Sequence, residues 1–208
     1  MKPLDRSQFV ARKLGKLNNK IVLDIGCRDQ IFKKSLQGNF KYIGIDYDPE
    51  IDHSEFINHN LENGLPKQLG KIDIINAMDV LEHVENIHDI FNECFKKSEQ
   101  KIAIALPNMA YYKFRLTFLF SGEISGKYIF HSKKVVDRHR WFTTYYNNIN
   151  FVKTNTPKNW KIKHYNFIFQ RKRNFILYHL EKVLSKLFPK FFVYENIFIL
   201  KKFNLKFF

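Results

Sequence analysis

Apolar and polar positions alternate between two periods along the first half of the chain. Lys20 to Gly26 (Lys-Ile-Val-Leu-Asp-Ile-Gly) is a short apolar run ending in an acid and a glycine. Such runs, too short for a helix and rich in β-branched residues, read as buried parallel strands. Lys41 to Asp46, Lys71 to Ala77 and Lys101 to Leu106 read the same way, and Phe56 to Leu61 reads as a shorter strand. Between them lie helix-sized intervals. Asp29 to Leu36 carries Ile31, Phe32 and Leu36 at helical spacing, and Ile87 to Phe95 carries the stripe Ile87, Ile90, Phe91 and Cys94. Strands alternating with helices predict βαβ units and a parallel sheet covered on both faces.

The regularity fades after Asn108. Met109 to Ser121 is aromatic and apolar and predicts a helix, and Gly122 to Arg140 reads as a loop. Trp160 to Phe169 and Tyr194 to Lys202 predict two further strands around a helix from Arg173 to Leu187, an order that suits an antiparallel pair at the sheet edge. The expected fold is an α/β Rossmann-like three-layer αβα sandwich. Its sheet has seven mostly parallel strands, with an antiparallel C-terminal strand. We expect one domain over 1–208. Within it, 1–19 forms a helical N-terminal extension, 20–108 a cofactor-binding half, and 109–208 an acceptor-side half.

Composition sharpens this picture in two places. The 208 residues are 45% hydrophobic and 26% charged, a globular balance, with no apolar run long enough to span a bilayer. The net charge of +15 is unevenly placed. Residues 1–100 hold 14 Lys and Arg against 16 Asp and Glu, whereas residues 101–208 hold 21 against 4. The second half therefore suits an anionic partner: phosphate groups, an anionic bilayer surface or nucleic acid. Cys27 and Cys94 stand far apart and in no metal-like spacing, so neither a disulfide scaffold nor a metal site is expected. A cytoplasmic location follows, soluble or peripheral at a membrane surface.

The candidate chemistry lies where strands end, because open parallel sheets bind ligands outside the carboxyl ends of their strands. Leu23-Asp24-Ile25-Gly26-Cys27 closes the first strand with a glycine that permits a sharp turn. Gly44-Ile45-Asp46-Tyr47 places an acid about twenty residues on, where it can accept bonds from ribose hydroxyls. His59-Asn60-Leu61 follows the third strand, and Asn76-Ala77-Met78-Asp79-Val80-Leu81-Glu82-His83 the fourth. Together these four segments resemble the class I S-adenosylmethionine (SAM)-dependent methyltransferases, in the branch whose fourth motif ends in Leu-Glu-His. Ala105-Leu106-Pro107-Asn108 is similar to that family's fifth-strand ending.

The resemblance covers 20–108 and implies roles. Asp24, Gly26 and Cys27 would line the methionine end of SAM, Asp46 would hold the ribose, and Tyr47 would lie beside the adenine. Asn60 and the Leu61 N–H would meet the adenine edge, and Met78 and Asp79 would floor the pocket. The sequence departs from the family at Arg28 and Gln30, which stand where the second and third glycines usually stand. A turn needing positive φ there would be strained. A non-catalytic SAM-fold protein with a binding or regulatory role is thus the alternative to an enzyme. A dinucleotide oxidoreductase would need a Gly-x-Gly-x-x-Gly cradle, which is absent.

Methyl transfer to a poor nucleophile such as a sugar hydroxyl requires a base. His83 and Asp79 are candidates near the strand ends, as are His131 and His139 in the expected capping segment. Val136-Asp137-Arg138-His139-Arg140-Trp141 resembles an Asp-Arg-His segment that many such methyltransferases carry. We read His83 or His139 as general base or substrate orienter. The expected reaction is O-methylation of a small, glycan or lipid-linked acceptor bearing negative charge. Arg171-Lys172-Arg173 precedes an amphipathic aromatic helix. Residues 171–192 therefore read either as a sheet-covering helix with a basic end or as a peripheral membrane contact. Nucleic acid is the less expected polyanion, since no added RNA-binding domain is visible.

Overall fold

The computed structural model describes residues 5–47, 56–124, 128, 132–133, 138–168 and 175–203. In chain order these form α1 (Arg6–Leu14), β1 (Leu17–Ile25), α2 (Ile31–Ser35), β2 (Gly38–Asp46), β3 (Ile57–Asn58), β4 (Ile72–Met78), α3 (Ile87–Lys97) and β5 (Ser98–Pro107). α4 (Tyr112–Ser121), α5 (Tyr145–Asn155), β6 (Trp160–Phe167), α6 (Phe175–Leu187), α7 (Pro189–Phe192) and β7 (Glu195–Lys202) follow. The seven strands lie in the order β3-β2-β1-β4-β5-β7-β6. β1 through β5 pair in parallel, and β7 runs antiparallel to both of its neighbours.

Alternation along each strand builds two cores, one on each face of the sheet. Leu23, Ile75, Phe198 and Leu200 turn to one side, where Ile90 and Phe91 of α3 and Val152 of α5 pack. Their chain neighbours Val22, Ile74, Ile197 and Ile199 turn to the other, against Val10 and Leu14 of α1 and Phe32 of α2. Burial on both faces explains why the central strands read as continuous apolar runs rather than as alternating ones.

The strand order reverses between β1 and β4. From β1 the chain steps outward to β2 and β3, then returns to pair β4 against the other side of β1. This switch point separates the loops that leave the two strands and opens a crevice at their carboxyl ends.

The structure corrects the reading in several places. The third strand is only Ile57–Asn58, because the Asn60 side chain accepts the Glu62 N–H at 3.0 Å and caps a 3-10 turn at Leu61–Asn63. The last two strands do form an antiparallel pair at the sheet edge, with β7 the inner of the two, between β5 and β6. The pattern did not predict α5. Its buried face includes the polar Asn148, which breaks the apolar stripe. Asn148 donates to the Pro107 carbonyl at 2.9 Å and to Asn196 Oδ1 at 3.1 Å, so its burial is satisfied by the ends of β5 and β7. His131, Asp137 and the Arg171–Arg173 cluster lie outside the described residues.

The loop from β1 to α2 turns three times through positive φ: at Gly26 (71°), Arg28 (40°) and Gln30 (55°). The two departures from the glycine pattern thus keep the glycine-like backbone. A left-handed non-glycine residue costs about 1–2 kcal/mol. The Arg28 N–H donates to Asp46 Oδ2 at 2.7 Å and the Gln30 N–H to the Cys27 carbonyl at 2.7 Å, which holds both in place. Arg28 is exposed, so its backbone strain can be tested with little change in packing. Arg28→Gly is expected to leave the urea midpoint unchanged or raise it. Arg28→Val, β-branched in a left-handed position, is expected to lose about 1–2 kcal/mol.

Candidate active site

A cleft of about 310 Å³ opens at the carboxyl ends of β1 and β4. Asp24, Gly26 and Cys27 line it from β1 and its loop, Met78 and Asp79 from the end of β4, and His83 and His139 from its mouth. Seven of the residues singled out from the sequence therefore meet in one crevice, although the two histidines come from distant segments.

Asp24 is the most constrained of them. It is buried, accepts the Tyr42 hydroxyl of β2 at 2.5 Å, and accepts Asn76 Nδ2 of β4 at 2.7 Å. Burial pushes its carboxyl up to about 6, against the lowering effect of those two bonds. Gly26 is favoured by its backbone angle and by one close contact. Its φ is 71°, and a Cβ there would meet Val80 Cγ2 at 3.0 Å. The Cys27 thiol is pushed up to about 12, chiefly by burial and then by Asp24, which makes it an inert wall rather than a nucleophile.

Asp46, Tyr47, Asn60 and Leu61 do not line this cleft. The Asp46 carboxylate instead ties the glycine-like loop to β2: Oδ2 takes the Arg28 N–H and Oδ1 the Tyr47 N–H, both at 2.7 Å. Each oxygen keeps a second lone pair. Tyr47 is exposed, Asn60 caps its turn, and Leu61 is buried. The His59 N–H donates to the Asp46 carbonyl at 2.8 Å. That bond holds the Asn60 turn beside Asp46 at the same end of the sheet.

The sequence reading missed Arg6. From the first turn of α1 it reaches across the crevice to Asp79 and to Glu195 Oε1, the latter at 2.9 Å. Glu195 opens β7 and is 1% exposed; burial and then Asp79 hold its carboxyl well above its ordinary value. Arg6 thereby docks α1 over the cleft. A single arginine in a basic stretch carries no linear signal of this role. The one local cue is the capping box of Asp5 and Gln8, which marks where the helix starts.

Behind His83 and His139, Glu82 is fully buried and its carboxylate lies near both imidazoles. Its Oε1 lies 3.8 Å from His83 Nε2 and 3.9 Å from His139 Nε2. The segment 138–141 is stitched to 82–84 by backbone and side chain. The Arg140 and Trp141 N–H groups donate to the Glu82 carbonyl, Arg140 Nε to the His83 carbonyl at 2.9 Å, and Trp141 Nε1 to the Val84 carbonyl at 2.8 Å.

The residues fit a charged, methionine-like ligand end. The positive-φ turns place the loop backbone against the cleft, a buried carboxylate lines its floor, and no bulky side chain stands at Gly26. Solved structures share this architecture. The chain is similar to the small RNA methyltransferase HEN1, with a TM-score of 0.66 and 12% identity. That match covers 96% of this chain but only 25% of HEN1. It is similar to a SAM-dependent methyltransferase from Archaeoglobus fulgidus, with a TM-score of 0.53, 16% identity and 94% of each chain covered. It is also similar to magnesium protoporphyrin IX methyltransferase from Synechocystis PCC 6803 bound to S-adenosylhomocysteine (SAH). There the TM-score is 0.56 and the identity 14%, over 95% of this chain and 81% of that one. At these identities the likeness is one of fold. No curated protein sequence matches. Residues 5–112 match the methyltransferase-domain family, and on that match over half its length the chain belongs to the methyltransferase-domain family.

Proposed function

We propose that this protein moves the methyl group of SAM to an oxygen of an anionic acceptor, small, glycan or lipid-linked. The observation that carries the reading is the placement of two imidazoles at the mouth of a strand-end cleft whose floor holds a buried carboxylate. SAM supplies a methyl group on a sulfonium, which an in-line nucleophile can take without further activation of the donor. The chain's own task is to hold that donor, position the acceptor oxygen and manage its proton.

Asp24 is suited to the ammonium of the methionine end, and the Gly26–Gln30 turn to its carboxylate. Asp46 has a lone pair on each oxygen for the ribose hydroxyls. His83 and His139 act at the mouth as base or orienter. The His83 Nδ1–H donates to the Arg138 carbonyl at 3.0 Å, which leaves Nε2 as the proton-accepting atom of the neutral ring. The left-handed turns at Arg28 and Gln30 support a loop still shaped to hold the cofactor, despite the missing glycines.

The acceptor's charge is argued from the second half of the chain. Of its four carboxylates, Glu181 and Glu195 are buried, so its lysines and arginines dominate the surface. Peripheral membrane contact has its own support in α4 and α6. α6 turns Glu181 and Ser185 inward and exposes Ile176, Leu177, Leu180, Val183 and Leu187. That is the reverse of a sheet-covering helix. α4 exposes Phe118, Leu119 and Phe120 and buries none of its residues, and the two helices meet where the Tyr111 hydroxyl binds Glu181. Exposed Lys113, Lys182, Lys186 and Lys190 flank these apolar residues, the pairing that anionic bilayers attract. Among the described residues no helix is long and apolar enough to cross a membrane.

Three measurements test this reading. With SAH production followed over a panel of sugar phosphates and lipid-linked phosphates, His83→Ala or His139→Ala should lower kcat about a hundredfold or more; turnover at the wild-type rate in both variants removes the histidines from the mechanism. SAH affinity should weaken by up to roughly tenfold as the pH falls from 7.5 to 5, because Asp24, with its carboxyl near 6, loses its charge while the ligand ammonium keeps its own. Asp24→Asn should flatten that dependence. Finally, the protein should sediment with anionic vesicles at low salt, and Leu119→Ser with Phe120→Ser should release it. A wild-type protein that stays in the supernatant excludes the membrane contact.

A further inference from the structure

We propose that Glu82, His83 and His139 form a binding site for one divalent transition-metal ion at the mouth of the cleft. The donor atoms, one carboxylate oxygen and two ring nitrogens, all lie within 4.8 Å of one another. Two ligands each about 2.1 Å from one ion lie at most about 4.2 Å apart. The separations of 3.8 and 3.9 Å from Glu82 Oε1 to the two Nε2 atoms fall inside that limit. They are also too long for direct bonding, since a carboxylate held by an imidazolium sits at about 2.7–2.9 Å. Separations of this size are compatible with one ion between the carboxylate and each ring nitrogen.

Hydrogen bonding on the far side of each ring fixes the required tautomer. A backbone carbonyl can only accept, so the bond to Arg138 places the His83 proton on Nδ1. The Tyr128 hydroxyl donates to the Trp141 carbonyl at 2.6 Å and therefore accepts from His139 Nδ1 at 3.2 Å. Each Nε2 is then the ring atom that carries the lone pair, and each lies within 3.9 Å of Glu82 Oε1. Ligating histidines need their other N–H anchored in this way. The rings meet edge to face, with an interplanar angle of 88°, so their nitrogens converge without stacking. The cross-links between 138–141 and 82–84 hold the ligands at this spacing before any ion arrives.

The donor set also selects the ion. Two imidazoles and one carboxylate suit Zn²⁺, Co²⁺ or Ni²⁺, whereas Mg²⁺ and Ca²⁺ prefer oxygen alone. Three protein ligands leave at least one position open, and both histidines line the cleft. An ion here would present that position to an acceptor oxygen, giving His83 and His139 the orienting role. The linear sequence shows no metal motif because the ligands arrive on two segments, 82–83 and 139, far apart in the chain.

The full-length chain, stripped with a chelator, is titrated with Co²⁺ by calorimetry and visible absorption, with Zn²⁺ and Mg²⁺ as competitors. One Co²⁺ per chain is expected, displaced by Zn²⁺ and not by equimolar Mg²⁺. His139→Ala and His83→Gln should each weaken it at least tenfold, with folding checked by circular dichroism. Absence of stoichiometric Co²⁺ binding to the wild-type protein overturns the site, as does binding that both variants retain unchanged. SAH titrated into the same samples reads the cofactor cleft separately. SAH binding without Co²⁺ binding removes the ion site and leaves methyl transfer standing, and Co²⁺ binding without SAH binding does the reverse.

Discussion

One buried carboxylate holds the centre of this protein together. Asp24 on β1 takes a hydroxyl from β2 and an amide from β4, so three adjacent strands share it at their carboxyl ends. A buried polar group must be hydrogen-bonded or it is costly, and here the two donors lie on either side of the point where strand order reverses. The crevice that the reversal opens therefore has a charged floor in a fixed position. The remaining features of the cleft are arranged around that floor.

The loop after β1 takes a glycine-like course with only one glycine in it. Arg28 and Gln30 adopt the left-handed turns that glycine would adopt freely, and Asp46 holds the first of them by accepting its N–H. The acid at the end of β2 thus secures the loop through its carboxylate. Asp79 has a double place. It lines the cleft, and it pairs with Arg6, which also neutralises the buried Glu195 and draws α1 over the site.

The two ends of the chain's chemistry are built differently. The floor of the cleft rests on strand ends, where each residue's position follows from the register of the sheet. The histidine end of the cleft rests on loop-to-loop stitching between 82–84 and 138–141, and α4 and α6 present apolar surface outward. This division matches the family match, which covers 5–112 and leaves most of the basic half outside it.

The residues alone determined the sheet and the strand-end motifs. Short apolar runs separated by helical intervals allow few arrangements other than a parallel sheet, and a glycine or acid at a strand end marks a ligand crevice by position. Asp24, Gly26, Met78 and Asp79 were legible for that reason. Tertiary structure decided what depends on distant partners. α5 was hidden because its buried Asn148 satisfies carbonyls of β5 and a side chain of β7. Arg6 was hidden because its partners lie at the end of β4 and the start of β7. The Glu82, His83 and His139 constellation was hidden because it exists only once segment 138–141 is bonded across segment 82–84. Local patterns record which face a residue turns to the core, but they carry no term for contacts between segments far apart in the chain.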